Sequence, residues 1–197
     1  NQEAISSYTD SIAPPNIVIA YGEQANLYAE LGMYDRALQL NTKAQHYSLL
    51  KDSFGLGDLY RYRAAIFGQT GIKDSIFYYL NQAEKISALQ GSFKGVFVNK
   101  VTTVEAYLDY TDSVQKALTL ALSICPDSSR MPQWAKYELE LHLGRALLQT
   151  GKATQGIPLI EKAAQGFISM DMRSGKQKAN NILMDYYLSM NMNDAFV

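Results

Sequence analysis

The stretch LGMYDRALQLNTKA, residues 31–44, decides how this chain folds. It places Gly32 three residues ahead of Asp35, and Ala44 nine residues after that aspartate. QTGIKDSIFYYLNQA, residues 69–83, repeats the arrangement with Gly71, Asp74 and Ala83. LDYTDSVQKALTLA (108–121) and QTGKATQGIPLIEKA (149–163) supply Asp109, Asp112, Ala121 and Gly151, Thr154, Ala163. Asn191 and Asp194 extend the columns, so the first column advances in steps of 39, 38, 42 and 40 residues.

Every residue of that column is Gly, Asn or Asp, the types that tolerate the left-handed backbone at a helix C-terminus. Three residues on come Asp35, Asp74, Asp112, Thr154 and Asp194, all residue types that cap the orphan N–H groups of a new helix. Each unit therefore reads as helix, tight turn, helix. An apolar stripe follows each cap at helical spacing: Ala37, Ile76, Val114 and Gly156; then Leu40, Tyr79, Ala117 and Leu159; then Ala44, Ala83, Ala121 and Ala163. The alanines mark a close approach of two helix backbones.

Ahead of each turn the first helix carries small residues, Ala25, Ala64, Thr102 and Gly144, with Met184 the exception. One turn later come Tyr28, Phe67, Leu147 and Tyr187, with Glu105 breaking the pattern in the third unit. Small against large suits an interdigitated helix pair. The predicted helices are 16–31, 34–50, 54–69, 73–90, 93–109, 112–125, 131–149, 154–169 and 174–190, with a further helix opening near 193. Pro126 ends one helix, CPDSSRMP forms a turn, and Pro158 delays or bends the helix that holds it. Residues 1–15 form an arm or the tail of an earlier helix. Residues 16–197 are expected to form a single domain, truncated in its last hairpin, in which hairpins stack because a lone hairpin cannot bury its own apolar face.

A small residue midway along a first helix, Gly before the turn, then YDRAL and a later Ala resemble the tetratricopeptide repeat. ANLYAELGMYDRALQLNTKA (25–44) carries the resemblance best, and 64–83 and 144–163 follow. The units here exceed that family's usual period of about 34 residues. The resemblance implies an all-α fold, a right-handed α-α superhelix of about five stacked hairpins. It also implies a scaffold that binds a protein or peptide of unknown identity in its concave groove.

Composition excludes several classes. Apolar residues make up 47% and charged residues 19%, so the chain folds. Eighteen Lys and Arg nearly balance nineteen Asp and Glu, so no bulk charge calls for nucleic acid. No run of about 18 apolar residues offers a membrane span. The only cysteine, Cys125, precludes an internal disulfide and lacks a neighbouring base to act as a nucleophile. His46 and His142 have no second histidine at metal-ligand spacing and are structural histidines. GRALLQTGK (144–152) lacks phosphate-loop spacing and has Ala153 where a hydroxyl should hold Mg²⁺. No catalytic, cofactor or metal site is expected.

The faces of the first helices that turn away from their partners should line the groove. The candidates are Asn26, Glu30, Arg61, Gln69, Asn99, Thr103, Arg145, Gln149, Asn181 and Asp185. Their mixture of charges and amides suits a polar peptide or a folded protein surface. In the first unit, a family clamp for C-terminal carboxylates would need a basic residue where Gly22 stands beside Asn26. The uncapped C-terminal end offers a route to self-association. The long-period, Tyr- and Asn-rich units are also similar to the repeat region of some membrane-anchored bacterial transcription regulators and sensor kinases. That resemblance implies a regulatory segment on the extracytoplasmic side.

Overall fold

A computed structural model describes residues 15–50 and 55–194 of the chain. The described residues are almost wholly helical and include no strand. In chain order the helices are α1 (Pro15–Glu30), α2 (Tyr34–Leu49), α3 (Leu56–Thr70), α4 (Lys73–Leu89), α5 (Phe93–Tyr110) and α6 (Val114–Ile124). A short 3-10 helix, Cys125–Arg130, leads into α7 (Gln133–Gln149), α8 (Ala153–Ser169) and α9 (Arg173–Asp194). The expected arm at the N-terminus lies outside the described residues, its last residue Pro15 apart.

The chain divides into two compact units, Asn1–Asn99 and Lys100–Val197. In the first, α1 packs on α2, α2 on α3 and α3 on α4, while α1 also meets α3. In the second, α6 packs on α7, α7 on α8 and α8 on α9, and α7 also meets α9. Each unit thus joins the two helices of a hairpin, then joins first helices of neighbouring hairpins.

The turn column behaves as its residue types predict at Gly32, Gly71 and Gly151, with φ of 74°, 76° and 77°. Each closes its helix in the same way: Met33, Ile72 and Lys152 donate their N–H groups to the carbonyls of Tyr28, Phe67 and Leu147 at 2.8, 3.1 and 2.8 Å. This six-to-one closure satisfies carbonyls that a helix end would otherwise leave open. The same closure recurs at Gly91 and Asp171, where Ser92 and Met172 donate to Ser87 and Phe167 at 2.8 Å. Those two sites join one hairpin to the next, and the period of the repeat does not reveal them.

Two members of the column are corrected. Asp109 lies inside α5, which runs on to Tyr110. The third turn uses a side chain instead: the Thr111 hydroxyl donates to the Tyr107 carbonyl at 2.8 Å and accepts the Ser113 N–H at 3.0 Å. Asn191 is helical too, because α9 continues to Asp194 with no break for a helix starting near 193. The proposed caps are corrected as well. Asp35, Asp74 and Thr154 sit one residue inside their helices, and the cap positions fall to Met33, Ile72 and Lys152 without a side-chain hydrogen bond. In the third hairpin the cap is Ser113, one residue after Asp112. The turn closure leaves one linking residue after the glycine, so the aspartates act by charge on the first-turn N–H groups. Pro158 is exposed within α8, which does not start late: it opens at Ala153 and runs through the proline to Ser169.

The alanine column is the seam of the fold. Ala44, Ala83, Ala121 and Ala163 are each 0% exposed. Around them form cores such as Val18, Tyr21, Tyr47 and Leu59 in the first unit, where the Tyr21 and Tyr47 rings stack at 5.9 Å. In the second unit Leu141, Leu148, Ile160, Phe167 and Ala179 gather about Ala163. The α7–α8 pair leaves no room for a side chain where Gly144 and Gly156 meet. A Cβ on Gly156 would stand 2.6 Å from the Gly144 carbonyl oxygen, and one on Gly144 would stand 2.8 Å from the Gly156 carbonyl oxygen. By contrast, Met184, Tyr187 and Leu188 of α9 are 54%, 50% and 54% exposed. Met184 and Tyr187 occupy the columns that earlier first helices turn toward their partners.

Between α2 and α3 the first unit places a polar chain within the apolar stripe. Asn41, 0% exposed, donates to the Leu59 carbonyl at 2.9 Å and accepts from Gln45 at 2.8 Å. Arg63 donates to Gln45 at 3.0 Å and to the Thr42 hydroxyl at 2.6 Å.

Gly156→Ala should destabilise the chain by about 2–3 kcal/mol, the upper part of the overpacking range, because the methyl meets backbone. Gly32→Ala, with open space at its Cβ, should cost only the left-handed strain, about 1 kcal/mol. Urea midpoints compare the two, and an equal loss would refute the backbone-contact account. Asn41→Ala should cost about 1–3 kcal/mol by stranding buried polar partners, read in the same titration.

Candidate functional site

Sequence reasoning leaves Glu105 as a misfit, and the structure places it at the centre of a cleft. The cleft lies in the second unit, between the C-terminal half of α5, α7 and α9, with a volume of about 490 Å³. Helical spacing puts Lys178, Asn181, Ile182, Asp185 and Tyr186 along one face of α9, and His142, Arg145 and Gln149 along one face of α7. Leu148 and Ile182 supply apolar surface beneath the polar groups.

Glu105 accepts a hydrogen bond from Lys178 Nζ at 2.5 Å, which ties α9 to α5. Its other oxygen faces His142 Nε2 at 3.8 Å, and Glu138 faces the same nitrogen at 3.5 Å. The His142 side chain is only 2% exposed. Its Nδ1 is buried without a hydrogen-bond partner. One turn along, Arg145 pairs with Asp109 and so ties α7 to α5.

These charges tune one another. Burial pushes the Glu105 carboxyl up, but His142, Lys178 and Arg145 outweigh it and hold the carboxyl below its ordinary value. Burial pulls the Lys178 ammonium down, but Glu105, aided by Glu138 and Asp109, holds it above its ordinary value. Burial, with Asp109 and Glu105 adding to it, raises the Tyr110 phenol. Outside the cleft, burial and then Glu140 raise the Cys125 thiol, so the thiolate is disfavoured.

Four of the ten expected groove residues, Arg145, Gln149, Asn181 and Asp185, come together here. Among the described residues Gln149, Asn181 and Asp185 make no side-chain hydrogen bond or ion pair, and all three are exposed. The others lie elsewhere. Asn26 donates to Glu30 at 3.0 Å along α1. Arg61 bonds Asp58 at 2.9 Å and lies 5.0 Å from the Tyr62 ring centre. Gln69 is exposed on α3, and Thr103 is half-buried on α5 outside the cleft lining. Asn99 is corrected: it is 2% exposed and donates to the buried Ser87 hydroxyl at 3.0 Å, so it presents no surface. Its face of α5 is crowded, since a Cβ on Gly95 would stand 2.7 Å from the same hydroxyl.

Sequence reasoning missed Glu105, Asp109, His142, Lys178 and Tyr186 as cleft residues. Only Glu105 carried a signal, a carboxylate in a column of large apolar residues. Among the described residues no cluster of His, Cys, Asp and Glu could hold a metal ion, and no helix is long and apolar enough to cross a membrane. No family model matches the sequence, and no curated protein or solved structure matches it either.

The shift directions fix a pH dependence. Glu105 has its folded value lowered, so its contribution is present above the ordinary carboxylate value and lost as pH falls through the folded one. Lys178 has its folded value raised, so its contribution is full below the ordinary lysine value and lost as pH rises through the folded one. Glu105→Gln should therefore flatten the acid limb of the stability profile. The difference from wild type should be about 0.5–1 kcal/mol near neutrality, given partial exposure, and should shrink toward acid. Urea midpoints across the pH range check this; parallel acid limbs would refute it.

Proposed function

We propose that the chain is a non-catalytic binding module of the tetratricopeptide type, an array of helical hairpins in a right-handed superhelix. The cleft between α5, α7 and α9 receives a segment of a protein partner. The observation that carries this reading is the row of uncommitted groups, Gln149, Asn181 and Asp185, above Leu148 and Ile182. Amide side chains offer a donor and an acceptor each, which suits the peptide backbone. The apolar surface below them suits side chains. The ion pairs of Glu105 with Lys178 and of Asp109 with Arg145 hold three first helices in place, so the walls are set before a ligand arrives.

The cleft also gathers titratable groups, and two of them, Glu105 and Lys178, are tuned away from proton transfer. A general acid or base works best with a pKa near the operating pH. Glu105 is held below its ordinary value and Lys178 above its own, so both move away from that range. They behave as a structural pair.

A double variant, Gln149→Ala with Asn181→Ala, tests the reading against an array of peptides displayed on a membrane. Peptides captured by the wild-type chain should bind the variant roughly tenfold more weakly, a loss of about 1.4 kcal/mol. The helical circular dichroism should be unchanged, since both residues are exposed. Undiminished capture by the variant would move the binding surface away from this cleft.

A further inference from the structure

The cleft's charges are not evenly committed. Both of its cations are in contact with a carboxylate, Lys178 with Glu105 and Arg145 with Asp109. Asp185 is left as the one lining carboxylate without a partner among the described residues. A side chain brought to this place therefore meets a net negative charge. It also meets apolar surface, because Ile182 and Tyr186 flank Asp185 on the same face of α9 and Leu148 stands on α7. An aromatic ring beside a carboxylate favours a cation twice, by charge and through the ring face.

We infer that the cleft selects a cationic group on an aliphatic stem, the side chain of a Lys or Arg in the bound segment, with its head at Asp185 and its stem along Ile182, Leu148 and Tyr186. The inference rests on the cleft being the binding surface proposed above. Lys and Arg are the side chains that lay an apolar stem on a surface while presenting charge at the tip. A norleucine would gain the stem contacts alone, and a glutamate would meet Asp185 with like charge.

The test uses the full chain and four N-acetylated, C-amidated peptide mixtures, alike except for one fixed residue: Lys, Arg, norleucine or Glu. Calorimetry gives affinity, and the NMR signals of the Gln149 and Asn181 side-chain amides report occupancy of the cleft. The Lys and Arg mixtures should bind and shift those amides, with norleucine roughly tenfold weaker and Glu weaker still. Asp185→Asn should remove the advantage of Lys and Arg over norleucine, and Asp185→Lys should turn the preference toward Glu. Equal binding of Lys and norleucine, with the cleft amides shifting, would overturn the cation inference while sparing the binding cleft. No amide shift with any mixture would overturn both. Butylguanidinium and spermidine provide a last arm. If either binds as tightly as the peptide mixtures, the cation site stands and the polypeptide reading falls.

Discussion

Helix pairs in this chain meet on buried alanines and glycines. That approach requires a residue with almost no side chain at one level of every second helix, and Ala44, Ala83, Ala121 and Ala163 meet it with no exposed surface. In the α7–α8 hairpin the requirement sharpens to Gly144 against Gly156. Side chains above and below then interlock at the density of a protein interior. Five helix ends are closed by the same six-to-one hydrogen bond, each on a left-handed residue: Gly32, Gly71, Gly91, Gly151 and Asp171. Within each unit the first helices of neighbouring hairpins meet, and in the second unit the cleft is lined by faces of α5, α7 and α9.

The constraint was legible wherever it acts through residue type at a fixed spacing. The alanines, the three turn glycines and most helix limits follow from periodicity. What escaped acts through side-chain chemistry that periodicity does not encode. Thr111 closes the third turn with its hydroxyl, so no glycine marks the spot. Asp171 adopts a φ of 53° that sequence would assign more readily to glycine. Asn41 stands where later units have Leu80, Leu118 and Ile160, because its amide finds a carbonyl on the next helix. Asn99 was placed on the groove by its helical phase, but the Ser87 hydroxyl draws it into the interior.

The candidate site was half legible for the same reason. Helical phase alone placed Arg145, Gln149, Asn181 and Asp185 on a shared surface. It could not place Lys178 against Glu105, because those residues are 73 positions apart and meet only when α9 reaches α5. Glu105 is the instructive case. Its apparent misfit as a core residue is resolved by Lys178 and His142, which give a partly buried carboxylate what it needs to stay charged.

Helix α7 serves two purposes on opposite sides. Gly144 and Leu147 face α8, while His142, Arg145 and Gln149 face the cleft. The hairpin side admits almost no change, since even a methyl group at Gly144 meets backbone. Gln149 on the other side touches nothing that holds the helices together. Heritable variation can therefore change the surface the cleft presents, one exposed residue at a time, while the scaffold beneath stays the same. A lineage carrying this fold could diversify that surface far faster than its architecture.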